Sequence, residues 1–172
     1  EEPAAMAMIR VHELPEILGQ LTAERPVSLP DIGAIPQGRI FGAILMTRNG
    51  DVLGQSGFQQ SEADSTPAPA PKVVAAILSN VWSEYARSVA NTVSFEPEAA
   101  DGGVEGAGPL RVMLLDLQQA QVAVGSLCDG EYLLCACAEH DVAVGMLKAR
   151  LLTLANHLEG SLRQLLVVPF DR

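Results

Sequence analysis

Leu110-Arg-Val-Met-Leu-Leu-Asp-Leu117, Gln121-Val-Ala-Val-Gly-Ser-Leu127 and Glu131-Tyr-Leu-Leu-Cys-Ala-Cys-Ala138 follow one another with only a few residues between them. Each is the length of a strand and rich in apolar residues, and the turns between them carry Gln118-Gln119 and Asp129-Gly130. Asp-Gly is a hairpin dipeptide, and connections this short join antiparallel neighbours. Apart from Arg111, the core of the first segment is apolar at consecutive positions and not at alternate ones. Such a strand is expected to be covered on both faces, which places helices on both sides of the sheet.

Working outward, Arg39–Phe58 contains two apolar runs flanking Asn49-Gly50. Asn-Gly tolerates positive φ, so strands are predicted near 40–47 and 51–57. Between this hairpin and the three later strands, Val74, Ile77, Leu78, Val81, Trp82, Tyr85 and Val89 recur at the helical period. They fall within an arc of roughly 140° on a helix predicted over 72–90. Leu14, Ile17, Leu18 and Leu21, with Pro15 in the first turn, predict a helix over 12–23. Val144, Leu147, Leu151, Leu154, Leu158, Leu162 and Leu165 form the stripe of a last helix over 142–166, for which Asp141 is a natural N-cap. Residues 25–38, with three prolines and two glycines, read as a loop, as do the Pro-rich 59–71 and the acidic, Gly-rich 91–109. The expected order is α-β-β-α-β-β-β-α, an α/β (α+β) three-layer sandwich whose five-stranded antiparallel sheet carries helices on both faces.

At 172 residues the chain suits one domain, over 11–168, behind a flexible N-terminus at 1–10. The formal net charge is −10. Eight of the twenty-one acids sit in 1–9, 61–71 and 91–109, which contain no Lys or Arg, so the remainder is nearly neutral. Solubility explains such loop charge. With no cationic cluster in the sequence, nucleic acid and anionic lipid are disfavoured as direct partners. Three cysteines are an odd count and too few for a disulfide scaffold, so a reducing compartment is expected. No apolar run approaches the ~18 residues of a membrane span, and no secretory signal is visible.

Chemistry is scarce. Cys135 and Cys137 are two apart on a strand and face one side, but the three histidines (His12, His140, His157) lie on other elements, and a tetrahedral metal site needs four ligands. Buried, inert thiols are the simpler reading, and a cysteine nucleophile would need a low pKa and an adjacent base. His140 lies between Glu139 and Asp141, yet neighbours at a strand-to-helix turn point apart, so a capping turn is expected. Asp116 reads as a turn acceptor. Gly102-Gly103 and Gly106-x-Gly108 lie in an acidic stretch that would repel phosphate. No catalytic residue, metal or cofactor is expected.

The informative surface is the helix over 72–90, which holds the single Trp and one of two Tyr. An arc that wide can serve both the helix's own sheet and a partner, and aromatics are favoured at interface centres. The strand 110–117 could be a sheet edge, and an apolar edge is an aggregation hazard unless another chain pairs with it. A dimer interface is therefore expected on Val74, Ile77, Leu78, Val81, Trp82, Tyr85, Arg111, Val112, Met113 and Leu114.

Ala75-Ala-Ile-Leu-Ser-Asn-Val-Trp82, Leu133-Leu-Cys-Ala-Cys-Ala138, Val144-Gly-Met-Leu-Lys-Ala-Arg150 and the hairpin Leu45–Leu53 with Ser56-Gly57 together resemble the Roadblock/LC7 family. The resemblance runs from about Leu14 to Leu166. It is nearest to the roadblock subunit of Ragulator complexes, on Ser79-Asn-Val-Trp82 and Gly145-Met-Leu-Lys-Ala149. It implies a roadblock/longin-like fold, with 25–38, 59–71 and 91–109 as insertions. It also implies a non-catalytic scaffold paired with a second roadblock protein as a heterodimer. Other Ragulator subunits and Rag GTPases would then be further partners, in mTORC1 and MAPK signalling. Such subunits are held peripherally on late endosomes or lysosomes through a separate lipidated partner. A dynein roadblock-type light chain, or a small-GTPase regulator of the same fold, is the other reading the family offers.

Overall fold

The computed structural model describes residues 11–23, 27–29, 33–35, 38–58, 69–93 and 109–166. Three α-helices and seven strands run in the order α1 (Leu14–Thr22), β1 (Val27–Leu29), β2 (Gly33–Ile35), β3 (Ile40–Thr47), β4 (Val52–Gly57), α2 (Pro71–Val93), β5 (Val112–Asp116), β6 (Gln121–Leu127), β7 (Tyr132–Ala138) and α3 (Val144–Leu166). β3 to β7 form one antiparallel sheet in the order β4-β3-β7-β6-β5. The five-stranded sandwich expected from the sequence is therefore the architecture observed.

One part of the 25–38 loop differs. β1 and β2 pair antiparallel as a separate two-stranded sheet, with Val27 opposite Ile35 and Leu29 opposite Gly33. Three-residue strands are too short to produce an alternating pattern in the sequence. Most of the 59–71 and 91–109 segments, and the 1–10 terminus, lie outside the described residues.

The β3–β4 hairpin forms at Asn49-Gly50 as expected, but by a different turn. Thr47 N–H donates to Asp51 O, and Gly50 N–H to Thr47 O. This three-residue connection needs positive φ at Gly50 alone (93°), not at Asn49, and the register shifts by one residue between Leu45 and Met46.

The sheet divides the core in two. On one face α1 and α3 cover Ala43, Leu45, Ala123, Leu134 and Ala136. Leu18, Leu147, Leu151 and Leu158 supply most of that packing, all essentially without exposure. On the other face α2 covers Ile44, Met46, Val124, Leu133, Cys135 and Cys137. Small residues recur where helices approach closely. A Cβ on Gly54 would meet Leu14 Cβ at 2.9 Å.

α3 starts at Val144, and Leu147 N–H donates to Ala143 O. Ala143 thus occupies the position expected of Asp141, which instead lies in the preceding turn closed by Val142 N–H to Glu139 O. Two residues of the β7–α3 connection are spent packing backbone against Gly38, whose Cβ would lie 2.5 Å from Val142 N. On α3, Arg150 donates to Gln20 O (3.4 Å) and Ala23 O (2.9 Å), satisfying carbonyls at the C-terminal end of α1. Gly160, in the interior of α3, is exposed with open space around it. Gly160→Ala is expected to stabilise the fold by about 0.5–1 kcal/mol, because the unfolded chain loses freedom and nothing resists the methyl group. A urea titration with unchanged slope and a raised midpoint is the expected result.

Candidate pairing interface

α2 is built from two adjacent ridges of residues spaced by four. Val74, Leu78, Trp82 and Ala86 lead into the sheet, and Leu78 and Trp82 are each 3% exposed. Val73, Ile77, Val81 and Tyr85 run alongside, and of these Val73, Ile77 and Tyr85 are 54–57% exposed. The wide apolar arc read from the sequence therefore has two functions within one helix. Its inner edge closes the core, and its outer edge is an apolar ridge facing solvent. An i±4 row of this kind is the surface that seats in the groove of another helix.

Among the described residues β5 is an edge of the sheet, paired with β6 alone. Every second residue of an antiparallel edge turns its N–H and C=O away from the sheet. The expectation that this strand is covered on both faces does not hold within the chain. Met113 is buried on the α2 side, but Leu114, on the opposite face, is 42% exposed. Leu114 stands in the cross-strand row of Ala123, Ala136 and Ala43, which α1 and α3 cover only further into the sheet. The opposite edge differs in chemistry. β4 carries Gly54, Gln55, Ser56 and Gly57, a polar and glycine-rich margin that blunts pairing. Open, uncharged backbone between Arg111 and Asp116 is found on β5.

Of the ten residues expected at a dimer interface, Ile77, Tyr85, Arg111 and Leu114 are exposed and Val74, Val81 and Val112 are half-buried. Leu78, Trp82 and Met113 are enclosed by their own chain and have almost no surface left to offer. Val73 joins the exposed ridge although the arc did not include it. The signal for it was the i, i+4 spacing Val73–Ile77–Val81–Tyr85, which a single broad arc conceals.

Elsewhere the described residues hold little reactive chemistry. Cys135 and Cys137 point into the α2 side of the core. Burial pushes the Cys135 thiol well above its ordinary range, with Cys137 adding to it, and burial pushes Cys137 up to about 12. A thiol whose pKa is raised on folding leaves stability intact below the unfolded value near 9. That stability is lost as pH rises from there through about 12, because the unfolded chain ionises first. Thermal midpoints are therefore expected to fall above about pH 9, and to fall less steeply in Cys137→Ala. Asp116, expected to be a lone turn acceptor, has a partner: His140 Nε2 lies 3.2 Å from its Oδ1 and donates to Leu117 O at 2.9 Å. His140 thus pairs across the sheet end with Asp116 and not with Glu139 or Asp141. Among the described residues no group of three His, Cys, Asp or Glu could hold a metal ion, and no helix is long and apolar enough to cross a membrane.

The geometry has counterparts among solved structures. MglB of Myxococcus xanthus superposes with a TM-score of 0.64 at 11% identity, over 98% of this chain and all of that one. The Roadblock/LC7 domain of Streptomyces avermitilis gives 0.58 at 17% identity, over 87% of this chain and 98% of that one. The fold is that of Roadblock/LC7 domains. A further Roadblock-fold structure, an MglB in a tetrameric arrangement, gives 0.60 at 13% identity over 95% and 98% of the two chains. No family model matches the sequence. The Roadblock fold thus rests here on the arrangement of elements, at identities too low to carry residue roles across.

Proposed function

We propose that this chain is a non-catalytic adaptor that pairs with a second Roadblock-fold chain and, as a pair, serves a small GTPase. The observation carrying the pairing is the coexistence of an exposed apolar ridge on α2 with an open apolar edge on β5. Either alone is tolerable in a monomer. Together they ask for a partner that offers a helix and a strand at once, which a chain of the same fold does. The tetrameric arrangement of one MglB structure of this fold supports assembly as a use of the fold.

Within that reading, the Ragulator type is favoured by the sequence stretches Ser79-Asn-Val-Trp82 and Gly145-Met-Leu-Lys148. The partners would then be a roadblock subunit, other Ragulator subunits and Rag GTPases, in mTORC1 and MAPK signalling. The chain would sit peripherally on late endosomes or lysosomes, through a lipidated subunit. The second reading, a small-GTPase regulator of the same fold, is the other role the Roadblock/LC7 resemblance offers, and superposition on MglB over 98% of the chain supports the fold it needs.

Sedimentation velocity of the purified chain, followed by affinity copurification, tests the proposal. The expected result is a dimer, or a stable complex with another Roadblock-fold chain, that retains a GTPase. A monomer at high concentration that recovers neither overturns it. Recovery of Rag GTPases with Ragulator subunits selects the first reading; another small GTPase selects the second.

A further inference from the structure

Beyond the pairing surface, a cavity of about 610 Å³ opens where the second halves of α2 and α3 converge on the start of β5. Trp82, Ala86 and Val89 from α2 and Leu152 and Ala155 from α3 give it apolar walls. Its third wall is the β6–β7 connection, where Cys128, Asp129 and Gly130 all take positive φ (50°, 58° and 91°). Two α3 side chains hold that turn. Glu159 Oε1 accepts from Cys128 N–H at 3.1 Å, and Arg163 reaches Asp129 Oδ2 at 3.4 Å and Glu159 Oε1 at 2.9 Å. This wall is fixed, and its one cation is neutralised by two carboxylates.

Two further arginines flank that connection. Arg48, on the β3–β4 turn, donates its backbone N–H to Glu131 O on one side, and the carbonyl O of Arg111, just before β5, accepts from Ser126 N–H on the other. Both also line the cavity, are exposed, and form no ion pair among the described residues. In a chain with a net charge of −10, a groove lined by Arg48, Arg111 and Arg163 against Asp129 and Glu159 is a local reversal of sign, and among the described residues Arg48 and Arg111 have no ion-pair partner.

We propose that this groove is a docking site for a peptide segment of a partner protein, in which an aliphatic or aromatic anchor is adjacent to one or more carboxylates. The anchor would enter between α2 and α3, where the small side chains Ala86 and Ala155 leave room. The carboxylates would meet Arg48 and Arg111, whose guanidinium forks suit them. A nucleotide is disfavoured, because Trp82 is 3% exposed and offers no ring face on which a base could stack. The site uses the inner face of the C-terminal half of α2, whereas the pairing ridge is its outer flank, so Arg111 is the one exposed residue common to both surfaces and the other variants separate them.

Panning a displayed random peptide library on the immobilised full chain tests the groove. The expected result is enrichment of sequences that place Asp or Glu beside Leu, Ile, Phe or Trp. Binding of a fluorescein-labelled enriched peptide, followed by anisotropy, should weaken at least about tenfold in Arg48→Glu/Arg111→Glu and in the groove-filling Ala86→Leu. Arg48→Ala, at an exposed turn, should weaken it without changing the melting temperature. No enrichment, enrichment without acidic residues, or affinity indifferent to both Arg48→Ala and Ala86→Leu overturns the proposal. Sedimentation of the arginine variants separates the two surfaces. Loss of pairing with peptide binding retained would assign Arg111 to the dimer contact and also overturn the groove.

Discussion

Gly57→Val is expected to destabilise the protein by about 3 kcal/mol, which is a large share of a domain's net stability. Gly57 ends β4 with φ 78°, opposite Gly42 of β3. A Cβ there would lie 2.3 Å from Phe41 O, 2.9 Å from Phe41 C and 3.0 Å from Gly42 Cα, all backbone atoms. Rotamer changes cannot relieve a clash with backbone, so β4 must move. Movement breaks the 2.7 Å hydrogen bond from Phe58 N–H to Phe41 O. It also displaces the Phe58 ring, which lies over Gly42 and meets Phe41 edge-on, centroids 6.3 Å apart. Left-handed backbone at a β-branched residue adds its own strain. Gly130→Ala is the comparison: φ is 91°, but nothing lies within 4 Å of its Cβ. Strain alone then costs about 1 kcal/mol. Denaturant midpoints of the two variants should differ accordingly; equal midpoints would show that the Phe41 backbone yields freely.

Gly57 also shows where reading from sequence stops. The five strands of the main sheet and the three helices are legible because hairpin dipeptides and helical apolar spacing are local signals, whereas the short β1 and β2 carry neither. Asn49-Gly50 marked a turn, but which residue takes positive φ goes with the register shift between Leu45 and Met46, which arises in the pairing with β4 while the pairing with β7 stays regular there. Gly57 carries no local signal, since its requirement comes from Phe41, sixteen positions away. The α3 start was misplaced for a similar reason. Asp141 is a good cap by chemistry, but its backbone is committed to packing against Gly38.

The interface residues divide along the same line. Periodicity found the apolar arc of α2 correctly, but periodicity reports only that residues share a side of a helix. Which part of that side meets the sheet depends on the tilt of α2 over β3 and β4, a tertiary property. Leu78 and Trp82 therefore went to the core while Ile77 and Tyr85 stayed exposed. Likewise, the apolar composition of β5 implied burial on both faces. The chain supplies burial on one, and the residual exposure of Leu114 is what the sequence pattern encodes without naming its cover.

That residue and Ile77 give the second large effect. In an Ile77→Asp/Leu114→Lys variant, pairing with a second Roadblock-fold chain is expected to weaken by at least about a hundredfold. Each truncated and charged anchor at the centre of an interface costs roughly 2 kcal/mol or more, and about 1.4 kcal/mol is a factor of ten. Ile77 is 57% exposed on the α2 ridge, and Leu114 is 42% exposed on β5. The folded monomer should tolerate both changes, since neither side chain belongs to the buried core. A charge on Leu114 additionally makes β5 resemble the edges that natural sheets protect from pairing. Leu78→Asp is the contrasting variant: at 3% exposure within the α2 core it should unfold the domain instead of separating it from a partner. Sedimentation and melting must therefore dissociate, with mass halved and midpoint retained in the first variant, and midpoint lost in the second. A double variant that still pairs at wild-type affinity would show that the exposed ridge and the open edge are not where this fold recruits its partner.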